Sequence, residues 1–240
     1  MPTTAPSVVL VHGGFADTSS WIGVVAELQR HRIPVLAAAT PLRGLAHDTA
    51  YLSAFLDRID GPVVLVGHAY GGAVISAAGA TARIVGLVYV SSYLPDAGES
   101  YADLQDRIGP APVRDCLQRS PCARADGPSA ELTIRADAYP EVFAADVPPD
   151  LAEVMAVIQR PVAETTFTDT ASVAAWRGKP TWVLIAGADR ALSPEIQRFT
   201  AHRAGATVRE AATASHAVTL SQPGLVADLI IEAVHALSPA

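Results

Sequence analysis

Three separated segments carry residue types that perform acyl-transfer chemistry when a fold brings them together. The first is "LVGHAYGGAV" (65–74), a G-x-A-x-G turn with Ala69 two residues after Gly67 and two before Gly71. In a nucleophile elbow the central residue is held in a strained backbone conformation between strand and helix, and the flanking glycines keep the turn free of clashes. Alanine gains nothing from such strain, so the turn reads as one built around a serine whose hydroxyl is missing. The second, "VLIAGADRALSPE" (183–195), puts Asp189 after a strand and before a helix opened by Ser193, Pro194 and Glu195, where a carboxylate can orient an imidazole. The third, "TASHAVTLSQPGLVADLI" (213–230), puts His216 before a terminal helix entered through Ser221 and Pro223.

Nucleophile position, acid and histidine in that chain order suit a mechanism in which serine attacks a carbonyl, histidine takes its proton and aspartate stabilises the imidazolium. Asp96, in "SYLPDAGES", is a competing acid. The developing oxyanion needs two backbone donors. Tyr70 follows the nucleophile position, and the "VLVHGGF" loop offers Gly14 first and Phe15 second. His12 in that loop reads first as a packing residue. The remaining histidines have no metal-ligand spacing.

These segments need a scaffold that carries their loops to one edge. Short β-branched runs at 7–11, 33–38, 62–67, 84–90, 181–187 and 206–211 alternate with amphipathic stretches such as "SSWIGVVAELQRHR". Continuous apolar strands separated by helices predict a doubly wound, mostly parallel six-stranded sheet covered on both faces. The alternation lapses over 96–165, a stretch too long for an ordinary loop. It is expected to be an inserted helical cap, leaving 1–95 and 166–240 as the core.

Composition narrows the function classes. With 240 residues, half of them hydrophobic, the chain is long enough for one sizeable core. A net charge of −7 and no basic run argue against nucleic acid and anionic membranes as partners. The N-terminus has neither a basic n-region nor a long apolar run, so a cytoplasmic location is expected. Cys116 and Cys122 lie close enough in sequence to bridge, but a reduced pair is the expectation. No GxGxxG after a strand, HExxH or CxxC occurs, so neither metal nor cofactor is expected and the partner is a small-molecule substrate. The oligomeric state is open.

Taken together, "VLVHGGFADTSSW", "LVGHAYGGAVI", "YVSSYLPDAGES", "GADRALSPEIQRF" and "ASHAVTLSQP" resemble the α/β-hydrolase superfamily. The likeness is to its compact six-stranded branch of plant methyl-ester esterases and hydroxynitrile lyases, with bacterial relatives. The resemblance implies that Ala69 stands at the nucleophile position with Asp189 as acid, His216 as base, and Gly14 and Tyr70 as the oxyanion hole. The cap would roof the pocket, with Tyr139, Phe143 and Met155 as candidate lining together with His12. The lyases differ in carrying threonine after the first loop histidine and lysine after the catalytic one. Here Gly13 and Ala217 stand there, which disfavours cyanohydrin cleavage.

Three readings follow. The first is a carboxylesterase or lactonase for a small, largely apolar ester, in a nucleophile-to-alanine form. The second is an enzyme without the serine, using His216 and Asp189 as a general-base dyad for non-covalent hydrolysis, cyclisation or cofactor-free oxygenation. The third is a ligand-binding pseudo-hydrolase.

Overall fold

The computed structural model describes residues 5–124 and 127–238. Six strands form one parallel sheet: β1 (Ser7–Val11), β2 (Val35–Ala38), β3 (Val63–His68), β4 (Ile84–Val90), β8 (Thr181–Ala186) and β9 (Thr207–Ala211), in the order β2-β1-β3-β4-β8-β9. Every residue of β3 and β8 is buried, as strands covered on both faces require, whereas β2 and β9 at the edges are partly exposed. Alternate side chains serve opposite faces. Val8 and Leu10 join Val64 and Val66 in one core, while Val9 and Val11 join Leu65 in the other.

Helices α1 (Ile22–Arg30) and α9 (Pro223–Leu237) cover the first face. The second is covered by α2 (Leu45–Leu56), α3 (Tyr70–Ala78) and α7 (Pro194–Arg203). A short α8 (Val218–Ser221) precedes α9. From β1 the chain steps outward to β2 and returns past β1 to β3, so the order reverses between β1 and β3. A crevice opens beyond the carboxyl ends of the strands at such a switch point, and the His-Gly-Gly loop and the Ala69 turn lie on either side of it.

No strand of the main sheet lies between β4 and β8. That stretch holds α4 (Tyr101–Ile108), β5 (Leu117–Arg124), β6 (Gly127–Ile134), α5 (Tyr139–Val142), α6 (Pro149–Ile158) and β7 (Val162–Ala163). Helix α4 starts at a reciprocal cap: Asp103 N–H donates to Ser100 Oγ at 3.1 Å, and Ser100 N–H donates to Asp103 Oδ2 at 2.8 Å. The expectation of a helical cap needs correction, because β5, β6 and β7 form a separate antiparallel sheet. Its sequence reads as loop because Pro121 interrupts the run. β5 is an edge strand, where a missing N–H is tolerated. Cys116 and Cys122 are both free thiols.

Among the described residues no helix is long and apolar enough to cross a membrane, and no cluster of three or more His, Cys, Asp or Glu side chains is disposed to hold a metal ion.

Candidate active site

Ala69 joins β3 to α3 with φ +50° and ψ −121°, a backbone region that L-residues avoid at a cost of about 1–3 kcal/mol. Three contacts hold it there. Its N–H donates to Val90 O at 3.2 Å, and its carbonyl accepts from Gly72 N–H at 2.9 Å and Ser92 Oγ at 2.6 Å. The turn is sharp enough that a Cβ on Gly67 would stand 2.6 Å from Gly71 O, and one on Gly71 would stand 2.4 Å from Val11 O. Both spacings exclude a side chain, so the G-x-A-x-G pattern is a steric requirement of this turn.

Asp189, buried in the loop after β8, has every lone pair engaged. Oδ1 accepts the N–H groups of Ala191 and Leu192, each at 2.8 Å. Oδ2 accepts Gln197 Nε2 at 2.8 Å, Ser91 Oγ at 2.6 Å and His216 Nδ1 at 2.7 Å. A carboxylate so bound fixes the imidazole with Nδ1–H toward the acid, which leaves Nε2 as the basic nitrogen. The His216 ring is further held by Phe143, edge-on at 4.6 Å between centroids, and by His68 at 4.7 Å.

His68 braces the same loop. Its Nε2–H donates to His216 O at 2.9 Å, and burial followed by the His216 charge pushes its pKa down to about 3. It is a neutral strut and does not compete as a base near pH 7. Asp96, the competing acid, is engaged by Arg177, whose Nε donates to it at 2.8 Å; the guanidinium holds its pKa down at about 2.

Ala69 and His216 line one crevice of about 60 Å³, together with Gly14, Phe15, Tyr70 and Phe143. Tyr70 is the first residue of α3, so its N–H has no acceptor within the helix. Phe15 occupies the left-handed region at φ +58°, and Gly14 beside it has room, with a built Cβ 3.7 Å from Val162. Of five Phe and six Tyr in the chain, six line this crevice: Phe15, Tyr70, Tyr93, Tyr101, Phe143 and Phe167.

Other expected lining residues lie elsewhere. His12 is fully buried below the loop, with Nδ1 2.9 Å from Gly13 O and Nε2 3.0 Å from Thr40 Oγ1; burial lowers its pKa. Tyr139 and Met155 line a separate hollow of about 30 Å³ behind Phe15, whose carbonyl accepts the Tyr139 hydroxyl at 3.4 Å. Helical spacing within α5 and α6 could not reveal which of their faces meets the crevice. Sequence reasoning missed Tyr93 and Tyr101, which follow β4, and Val162 and Phe167, which follow α6. The "SSYLPD" run after β4 contains Tyr93 and was the available signal for that residue.

Ser91 was missed as well. It is the one hydroxyl among the described residues bonded to the dyad, yet it lies behind the ring, on the Nδ1 side, and donates to Asp189. It therefore cannot replace the absent nucleophile.

With this geometry in place, the chain can be compared with known proteins. The profile of the Alpha/beta hydrolase family matches residues 8–229. The chain belongs to the alpha/beta hydrolase family. Solved structures with the same fold include polyneuridine aldehyde esterase, at TM-score 0.83 and 20% identity over 96% of this chain and 99% of that one. A pyrethroid hydrolase from Sphingobium faniae JZ-2 is similar at TM-score 0.79 and 22% identity, over 97% of this chain and 98% of that one. Tomato methylketone synthase I, solved with 2-tridecanone, is similar at TM-score 0.80 and 18% identity, over 98% of this chain and all of that one. No curated protein matches the chain.

Proposed function

We propose that this alpha/beta-hydrolase site is that of an acyl hydrolase, a carboxylesterase or lactonase acting on a small, largely apolar ester, with alanine standing at the nucleophile position. One observation carries the reading: Ala69 is held at φ +50° with its side chain in the crevice that His216 lines, while His216 is locked to Asp189 at 2.7 Å. A backbone strained at that point and supported from three sides has a use only if the side chain does chemistry. With serine there, its oxygen attacks the ester carbonyl, and His216 Nε2 takes the proton and returns it to the leaving alcohol. The N–H groups of Tyr70 and Gly14 would hold the oxyanion, and water would then release the acid by the same steps. None of these steps calls on a cofactor. The aromatic walls favour an apolar acyl or alkoxy group, and the narrow crevice favours a small one.

A second reading is favoured by the similarity to a protein named for making a methyl ketone and solved with one. In it the alanine chain works as it stands: His216 with Asp189 moves a proton at a carbonyl compound without a covalent intermediate.

The test compares the chain with Ala69→Ser on p-nitrophenyl acetate and butyrate, and probes both with a fluorophosphonate. Turnover and covalent labelling gained only by the serine form support the first reading. Its failure to label, although folded, would sink it. Turnover by the alanine chain that is lost in His216→Ala supports the second.

A further inference from the structure

Ser91 directly follows β4, within the "YVSSYLPDAGES" segment, which by itself gives the serine no role. It is fully buried, and its φ of +46° lies in a region that side chains avoid. Its hydroxyl is 2.6 Å from Asp189 Oδ2 and 3.3 Å from His216 Nδ1. A serine kept in an unfavourable backbone conformation, with its hydroxyl against both members of a catalytic pair, calls for an explanation that packing does not supply.

We propose that Ser91 is a positioning residue that tunes His216 as a base by sharing Asp189 Oδ2 with it. The inference rests on the reading of His216 and Asp189 as the working pair. Oδ2 serves three donors: Ser91 Oγ, Gln197 Nε2 at 2.8 Å and His216 Nδ1 at 2.7 Å. Each additional donor draws charge from the oxygen that must stabilise the imidazolium. Gln197 is committed to the scaffold, because its Nε2 also donates to Leu192 O at 2.9 Å and its Oε1 accepts Ala186 N–H at 3.0 Å. Ser91 Oγ is the donor that can be removed without cutting those ties.

Four elements pack around the His216 ring. Asp189 approaches from the loop after β8, His68 from the end of β3, Ser91 from the end of β4 and Phe143 from the end of α5. Of these, Asp189 is the only charged neighbour near neutral pH, since His68 is kept neutral there by burial. Ser91 therefore acts on the one charge that sets how firmly the imidazole keeps its proton. Losing its hydroxyl strengthens the pull of Oδ2, so His216 stays protonated to higher pH and is available as a base over a narrower range.

Two variants test this in the Ala69→Ser background. Ser91→Ala removes the donor. Ser91→Gly removes it and also relieves the backbone, because glycine is at ease at positive φ. Both are expected to move the acid limb of kcat/KM upward by roughly half to one pH unit, with KM unchanged. A second readout uses the chain with Ala69 and needs no turnover: the His216 Nδ1 proton resonance moves downfield in both variants as its bond to Oδ2 tightens.

A purely structural serine predicts a change in thermal stability in Ser91→Ala with neither the limb nor the resonance displaced. That result in folded Ser91→Gly overturns the proposal. If Ala69→Ser shows no ester turnover, the acyl-hydrolase reading fails, and the proton resonance still decides the role of Ser91.

Discussion

The two walls of the crevice are built on different physical terms. On the sheet side, the turns after β1 and β3 approach so closely that a Cβ on Gly71 would stand 2.4 Å from Val11 O, and Ala69 is held in strain by hydrogen bonds to its own N–H and carbonyl. Across from it the stretch between β4 and β8 contributes side chains from a 3-10 turn, a two-residue strand and the end of a short helix: Phe167, Val162 and Phe143. Backbone geometry defines the first wall and side-chain bulk the second. Substitutions in the first should therefore act through chemistry and stability, and those in the second through substrate fit.

The largest effect expected is at the tip of the turn. Ala69→Ser should raise hydrolysis of an activated ester by roughly 10³-fold or more, since a triad works as a unit and is lost almost entirely with its nucleophile. Initial rates with p-nitrophenyl acetate measure this. A gain below tenfold in a folded variant would mean that the sheet-side wall is not set for attack.

Next comes Gly71→Ala, which forces a methyl group onto the Val11 carbonyl. It should cost about 3 kcal/mol or more of stability, read as a fall in the urea midpoint. A neutral result would show that the turn yields, and the contrast between the walls would lose its basis.

The pH dependence of stability probes the same side. His68 binds a proton near its ordinary value of 6.5 in the unfolded chain but only at about 3 when folded. Between these limits the unfolded state holds more protons, so stability rises with pH and is lost as pH falls from 6.5 toward 3. By pH 4 this one residue should account for about 3 kcal/mol, with His12 adding in the same direction. Urea midpoints at pH 7, 5.5 and 4 give the slope, and His68→Gln should flatten it.

The smallest effect belongs to the second wall. Phe167→Leu nearly conserves volume at a half-buried site and should cost less than about 1.5 kcal/mol, with KM altered within about tenfold and kcat little changed. A loss confined to kcat would place the ring in the chemistry and blur the distinction between the walls.

How far each wall can be read from the sequence follows the same division. Six apolar runs separated by helical patterns imply a parallel sheet because a strand buried on both faces must be apolar throughout, and β3 and β8 are. The elbow is legible because clashes within a few residues dictate its glycines. The hairpin of β5 and β6 was hidden by Pro121, whose tolerance depends on β5 lying at an edge, a fact that no window of sequence contains. Tyr139 and Met155 looked like lining and face another hollow, because the face a helix turns toward a ligand is decided by what packs behind it.

What this sequence determined by itself is the set of local necessities: buried strands, the tight turn around Ala69, and the order in which Asp189 and His216 follow it. Short-range sterics and hydrophobic burial are written in neighbouring residues. Only the tertiary structure decided that Ser91 shares the Asp189 carboxylate, that Asp96 belongs to Arg177, and that six aromatic rings gather in one crevice. Those contacts join residues far apart in the chain, and their geometry exists only once the sheet and its insertion have packed.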